Sequence, residues 1–445
     1  MGKAVVIGLA RSGVGAANLL AREGEEVTVT DIRAAEELKG FAEELSPSVN
    51  LVVGRHPDWL FEDADLVVVS PGVPLGIRPV EIARRAGARV IGELELAYEH
   101  LSDLPFYAVT GTNGKSTTVT LLNLMLRRAG RRCIFGGNIG NALTAEALRR
   151  SNGGGDAAPE DCVVVEVSSF QLEAIESFRP RVASILNITP DHMDRYRTLD
   201  EYREAKRRIF ANQRRGDWLV LNADDPETMK LRGRRRNVRF FSRRGKVNGV
   251  YLRGGTVCSS EHGPILEAGD IRIKGVHNLE NAMAASAMAL LAGCPPEAAA
   301  GVLREFQGLD HRLEFVRELG GVRYVNDSKG TNVGAVVKSL ESFSQPVVLI
   351  AGGRDKAGDF SALRPLMDRV KAVVLIGEAA GKIRDALSDL VQCVPAGSME
   401  DAVRKARELA AAGDVVLLSP ACASFDMFRD FEDRGRRFEK AVMDL

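Results

Sequence analysis

The chain has 445 residues, 45 % hydrophobic and 27 % charged, with 60 Lys and Arg balanced by 60 Asp and Glu. That length suggests roughly two to four domains, with enough apolar material for packed cores. Zero formal net charge gives no support for a nucleic-acid binder, and no apolar run approaches the roughly 18 residues that a membrane span needs.

The opening MGKAVVIGLARSG reads as a strand running into a glycine turn. It lacks the basic, apolar and small-residue regions of a secretory signal. Six cysteines (Cys133, Cys162, Cys258, Cys294, Cys393 and Cys422) are scattered without a CxxC pair. Reduced thiols in a cytoplasmic protein are expected, not a disulfide framework or a zinc site.

Short apolar runs alternate with helical stretches along the whole chain. Ala4 to Ile7, Val27 to Thr30, Leu66 to Val69, Phe106 to Thr110 and Cys162 to Val167 are of strand length. So are Ala183 to Asn187, Trp218 to Asn222, Val347 to Ala351, Ala372 to Ile376 and Val415 to Leu418. Continuous apolar runs bounded by glycine and polar residues fit buried parallel strands, and the alternation fits α/β units. Domain boundaries are expected near 102 and 307, giving segments 1–102, 103–307 and 308–445. Within the middle segment, Arg232 to Gly255 is rich in Arg and Gly and reads as turns and short strands.

The first glycine turn, Gly8-Leu9-Ala10-Arg11-Ser12-Gly13, enters a helix, and the next strand ends at Asp31. This approaches the dinucleotide fingerprint, but Ala10 replaces the glycine that lets backbone approach a pyrophosphate. NAD, another nucleotide diphosphate and a purely structural turn all stay open. Ser70-Pro71-Gly72 follows another strand, where a crevice ligand is expected.

The second turn is Gly111-Thr112-Asn113-Gly114-Lys115-Ser116-Thr117. Its backbone amides suit phosphate oxygens, Lys115 the β- and γ-phosphates, and the Ser116 hydroxyl Mg²⁺. The usual loop would have glycine at 109, where this chain has Val109. Glu166 ends an apolar strand, where a charge is costly unless paired or bound to metal. It reads as a ligand for a hard cation or as a cap for the next helix. His192 follows another strand end, in Asn187-Ile188-Thr189-Pro190-Asp191-His192-Met193-Asp194. Leu199, Tyr202, Ile209 and Phe210 form an apolar helical stripe. Taken alone, Lys206 is one of several basic residues on that helix's solvated face, and Lys356 is a solvated lysine in a loop.

The shortened phosphate loop and the Asn187 to Asp194 motif together resemble the Mur ligases. His277-Asn278-Leu279-Glu280-Asn281, Asp310-His311-Arg312, Asn326 to Asn332 and Ser419 to Asp426 extend the resemblance, in order, over essentially the whole chain. It implies a Rossmann-like first domain, a phosphate-loop ATPase-like central domain and a Rossmann-like third domain. It is greatest to the branch that adds D-glutamate to UDP-N-acetylmuramoyl-L-alanine in peptidoglycan precursor synthesis, through an acyl phosphate. Gly330 departs from the alanine frequent in that branch.

The resemblance also implies roles. Lys115, His192 and Lys206 are catalytic. Gly111 to Thr117, Asn281, Arg312, Asp327 and Lys329 bind ATP. Ser116, Glu166, His192 and Lys206, the last as a carbamate, hold Mg²⁺. Arg11, Ser12, Asp31, Arg33, Ser70, Gly72 and Asn138 take the UDP-sugar, and Thr331, Lys356, Ser424 and Phe431 take D-glutamate. A monomer that binds neither nucleic acid nor membrane is expected. Another amino-acid ligase, such as an L-alanine adder or a folate polyglutamylating enzyme, a dehydrogenase using the first turn and a non-catalytic nucleotide-binding regulator are the rival readings.

Overall fold

A computed structural model describes residues 2–152, 159–233 and 237–445. These residues form three sheets. The first runs, in spatial order, Asn50–Val53, Glu26–Asp31, Lys3–Ile7, Leu66–Val69 and Arg89–Gly92, all parallel. Strand order reverses between Lys3–Ile7 and Leu66–Val69, which opens a crevice at their carboxyl ends.

The second sheet has Phe106–Thr110 between Val182–Ile185 and Cys162–Glu166, with Cys133–Gly137 at one edge. Trp218–Asn222, Val238–Ser242 and Gly249–Arg253 extend it in parallel, and Thr256–Ser259 and Gly263–Glu267 close it as antiparallel strands. Residues 234–236 of the Arg/Gly-rich stretch lie outside the described residues.

The third sheet runs Glu314–Leu319, Val322–Asn326, Val415–Leu418, Val347–Gly352, Val370–Ile376 and Gln392–Pro395. Only its first pair is antiparallel. Its core lies on both faces, one packed around Leu349, Leu375 and Leu417, the other around Tyr324, Ile350 and Phe438. None of the described helices is long and apolar enough to cross a membrane.

The described chain divides into two compact units. One comprises Met1–Asn187, Tyr202–Ala268 and Asn281–Leu303; the other comprises Ile188–Glu201, Gly269–Glu280 and Arg304–Leu445. The segments 188–201 and 269–280 therefore group with the third sheet.

Within the first unit, two buried carboxylates join the first sheet's domain to the second's. Both stand on the helix Glu93–Leu101. Glu93 Oε1 accepts from Thr144 N–H and Thr144 Oγ1, both at 2.9 Å. It thereby caps the helix Leu143–Ser151, whose own N-cap, Ala142, offers no side-chain bond. Burial pushes the Glu93 carboxyl above its usual range against these bonds. Glu95 accepts the amides of Glu176 (2.9 Å), Ser177 (2.7 Å) and Phe178 (3.0 Å).

The cysteines are less scattered than their spacing suggests. Cys133 and Cys162 are direct partners in neighbouring parallel strands, with sulfurs 2.9 Å apart. All six cysteines are free.

Replacing Glu95 with alanine leaves three amides without their acceptor, of which that of Phe178 is buried, and a buried unsatisfied group costs about 1–3 kcal/mol. The Glu95→Ala variant is expected to lose about 1–3 kcal/mol in urea unfolding, with Glu95→Gln less affected.

Candidate nucleotide and amino-acid sites

The phosphate loop leaves the buried strand Phe106–Thr110 and ends in the helix Lys115–Arg128. Its glycines answer to close packing. Gly111 has φ 153°, and a Cβ there would lie 3.1 Å from Leu186 Cβ. Gly114 has φ 85°, and a Cβ there would lie 2.1 Å from Asn281 Oδ1. Asn281 therefore sits directly against the loop, where Thr118 Oγ1 also donates to it at 3.4 Å. Lys115 Nζ curls back to the carbonyls of Gly111 (2.9 Å) and Thr112 (2.7 Å).

Asn187, which carried no assigned role, fixes the crown of this loop. Its Oδ1 accepts Asn113 N–H at 2.8 Å, and its Nδ2 donates to Asn113 O at 3.0 Å. Its carbonyl accepts Thr112 N–H at 3.0 Å. Two of the amides expected to cradle phosphate thus face Asn187. Those from Gly114 onward head the helix, where an anion is favoured.

Glu166 lies beside Val109 in the adjoining parallel strand. Its Oε1 accepts Asn138 Nδ2 at 2.7 Å. Its buried Oε2 has no hydrogen-bond partner among the described residues. The next helix, Ser169–Glu173, is capped by Ser168, so Glu166 does not serve as that cap. A buried carboxylate oxygen left unpaired fits a hard cation's oxygen ligand, as does the buried Ser116 hydroxyl nearby in sequence to Lys115.

Lys206 corrects the reading of a solvated face. It is 1 % exposed. Its Nζ donates to Gly111 O at 2.8 Å and stands 4.4 Å from the Tyr202 ring centroid. The helix Leu199–Arg207 turns this lysine inward because Tyr202, Ala205 and Lys206 form its buried side.

In the first domain, Asp31 and Arg33 face the glycine turn. Asp31 Oδ2 accepts Leu9 N–H at 2.8 Å, and Arg33 Nη2 donates to Leu9 O at 2.8 Å and to Asp31 Oδ2 at 2.7 Å. Burial pushes the Asp31 carboxyl up, but Arg33 and the amides of Leu9 and Arg33 hold it at about 2. Ser70 Oγ donates to Gly8 O at 2.9 Å, placing Ser70 on the same crevice as the turn. Arg11 and Gly72 are exposed and Ser12 half-buried. Asn138 is engaged with Glu166 through both its amide side chain and its backbone N–H (2.9 Å to Glu166 O).

In the second unit, Asp191 gathers three groups. It accepts His192 N–H on Oδ1 (3.0 Å) and Asn332 Nδ2 on Oδ2 (3.0 Å), and it lies 3.8 Å from Lys356 Nζ. Lys356 is therefore half-buried and ion-paired, not solvated. Lys329 Nζ sits 3.5 Å from the Phe431 ring centroid. Ser424 is buried and Thr331 half-buried. Arg312, with Lys338, helps hold half-buried His277 neutral, its imidazolium pKa lowered to about 4 by desolvation first.

Asp327 is buried and accepts the hydroxyls of Ser339 (2.6 Å) and Ser419 (2.7 Å) on Oδ2. Burial outweighs those bonds and Arg312, pushing its carboxyl up to about 6. A Cβ at Gly330 would come 2.6 Å from Ser419 Oγ and 2.7 Å from Asp327 Oδ2, so glycine suits this arrangement.

Among the described residues, the non-glycine positions with positive φ are His192, His311, Leu313, Ala357 and Ala421. Each is a candidate residue or lies close to one in sequence. Such conformations persist only where surroundings over-determine them, and they concentrate at working sites.

Asn187→Ala removes both bonds to Asn113 and is expected to weaken ADP binding about tenfold by calorimetry. For Asp327 the folded value exceeds the unfolded one. Its contribution to stability is therefore complete below about pH 4 and lost as pH rises through about 6. Asp327→Asn should gain on the native protein between about pH 4 and about pH 7, by on the order of 3 kcal/mol at most in urea unfolding.

Three family models match the chain in order. They are "Mur ligase MurD-like, N-terminal domain" over residues 2–92, "Mur ligase middle domain" over 109–289 and "Mur ligase, glutamate ligase domain" over 311–422. The chain is 46 % identical to the UDP-N-acetylmuramoylalanine–D-glutamate ligase of Pelotomaculum thermopropionicum, covering 100 % of this chain and 98 % of the relative. It is 49 % identical to the ligase of the same name from Geobacter metallireducens, covering 98 % and 96 %. Among solved structures, the UDP-N-acetylmuramate-alanine ligase MurC of Thermotoga maritima matches with TM-score 0.65 at 20 % identity, covering 100 % of both chains. MurF of Thermotoga maritima, in complex with ADP, matches with TM-score 0.63 at 18 % identity, covering 98 % of both. With matched models along its length, a common fold and relatives of near-equal length at this identity, the chain belongs to the Mur ligase family.

Proposed function

We propose that this chain is an ATP-dependent ligase that joins D-glutamate to UDP-N-acetylmuramoyl-L-alanine, an amide-forming step of peptidoglycan precursor synthesis. The observation that carries this reading is the near-full-length similarity to relatives bearing that activity in their names. The unpaired Glu166 oxygen beside the phosphate loop supports nucleotide chemistry with a divalent cation.

The substrate carboxylate is a poor acyl donor because its leaving group would be oxide. Transfer of the ATP γ-phosphoryl group to it forms an acyl phosphate and ADP. The neutral amine of D-glutamate then attacks the carbonyl carbon, its nitrogen gives up a proton, and inorganic phosphate leaves as the amide forms. Most of the work is positioning and charge stabilisation.

Lys115 and the loop amides from Gly114 onward hold the phosphates, with Asn281 against the loop. Arg312, Asp327 and Lys329 serve the nucleotide from the third domain. Ser116 and Glu166 hold Mg²⁺, with His192 contributing to a second ion; when bound, Mg²⁺ neutralises charge on the phosphate oxygens. Lys206 acts as a carbamate. An ammonium repels a cation, whereas a carbamate, formed from the neutral amine and CO₂, supplies an anionic oxygen. Arg11, Ser12, Asp31, Arg33, Ser70, Gly72 and Asn138 take the UDP-sugar. Thr331, Lys356, Ser424 and Phe431 take D-glutamate, whose two carboxylates suit cationic and hydroxyl donors.

The test is phosphate release from ATP and Mg²⁺ with UDP-N-acetylmuramoyl-L-alanine, comparing D-glutamate, L-glutamate, L-alanine and no amino acid. Turnover with D-glutamate alone is expected. Preference for another amino acid would overturn the assigned substrate. Lys206→Ala is expected to lose about 10²-fold or more in kcat, and ¹³C NMR with labelled bicarbonate should show a carbamate signal in the native protein that this variant lacks. Full activity in Lys206→Ala, or no such signal, would refute the carbamate.

A further inference from the structure

Arg434 stands in the first turn of the helix Phe431–Met443 and is completely buried. It has no carboxylate ion-pair partner among the described residues. Its guanidinium is instead spent on two loops. Nε donates to Ser328 Oγ (3.0 Å) and Nη2 to Ser328 O (2.8 Å). Nη1 donates to Cys422 O (3.1 Å) and Ala423 O (3.3 Å).

Those loops carry the groups assigned above to the amino acid. Ser328 leads within three residues to Thr331, and Ala423 precedes Ser424. Ser328 Oγ also donates to Phe431 O at 2.8 Å, tying in the aromatic residue. The loop of Lys356 joins one bond further on, because Arg354 and Ala423 exchange backbone bonds of 2.9 Å in both directions. A Cβ at Gly353 would meet Ala423 O at 2.2 Å and Arg434 Nη1 at 3.2 Å, so this backbone packs directly onto the guanidinium.

We propose that Arg434 is the positioning residue of the amino-acid site, setting the separation of the segments that bear Thr331, Lys356, Ser424 and Phe431. Burying a cation without an anion is expensive, and an apolar side chain would commonly serve stability as well. A planar fork with donors in three directions does what neither a lysine nor an apolar residue does: it holds two unrelated loops in one plane. Burial lowers the guanidinium pKa to about 10, which leaves it charged at neutral pH.

This inference rests on the amino-acid site proposed above, and the experiment separates the two. Steady-state KM is measured for D-glutamate, ATP and the UDP-substrate in the native protein, in Arg434→Lys and in Ser328→Ala. Arg434→Lys is expected to raise KM for D-glutamate about tenfold or more, with a smaller rise for ATP, whose assigned residues Asp327 and Lys329 flank Ser328, while KM for the UDP-substrate stays put. Ser328→Ala, which deletes one acceptor and the tie to Phe431 O, should shift the same constant in the same direction by less. If Arg434→Lys does not fold, Ser328→Ala decides alone. A lower Tm and lower active fraction with every KM unchanged would overturn the positioning role and leave Arg434 merely structural. A native protein that fails to turn over D-glutamate would overturn the site reading itself, and the positioning role with it.

Discussion

The parallel strands of this protein end where their backbone ladder ends, and each turn beyond them must find other partners for its amides and carbonyls. Polar side chains meet that need repeatedly. Asp31 takes the Leu9 amide of the first glycine turn. Asn187 pairs with both backbone groups of Asn113. Glu95 takes the amides of Glu176, Ser177 and Phe178. Arg434 supplies donors to carbonyls of the loops at 328 and 422–423. The loops that would bind ligand are thus built before any ligand arrives, which lowers the ordering cost of binding.

The buried charges differ in how far the protein satisfies them. Arg434, Glu95 and Asp31 are buried with their hydrogen-bonding capacity largely used inside the protein. Glu166 is different: one oxygen is bonded to Asn138 and the other is buried and unpaired. An unpaired buried oxygen is costly in isolation. It becomes favourable when a cation occupies the same position, so the cost of the empty state is part of the affinity of the filled one. Lys206 is buried like the structural charges, bonded to the Gly111 carbonyl and set against the Tyr202 ring.

Asp191 connects the motif histidine to the third domain. Its carboxylate meets His192 N–H, Asn332 and Lys356 within one compact unit. Lys356, assigned to a D-glutamate carboxylate, therefore already faces an anion of the protein. Under the proposed role of Lys356, a substrate carboxylate would exchange one counter-charge for another, which would favour dianionic over neutral amino acids.

Reading the chain alone was enough for the α/β class, the ten most apolar strands and the phosphate loop. Buried parallel strands are continuous apolar runs, and a phosphate loop needs glycines at defined places, so both leave local marks. The edge strands Asn50–Val53, Arg89–Gly92 and Gln392–Pro395 left weaker ones, because an edge faces solvent and tolerates polar residues. The roles of Glu166, His192 and Lys206 became specific through family resemblance, since each is a single common residue type. Folding alone brought Cys133 beside Cys162, turned Lys206 inward and gave Asn187, Asp191 and Arg434 their tasks. Arg434 looks no different in sequence from Arg436 and Arg437, which share its helix. Which of the three is buried depends on helix phase against a sheet assembled from distant segments, and which carbonyls it meets depends on loops some ten and a hundred residues away.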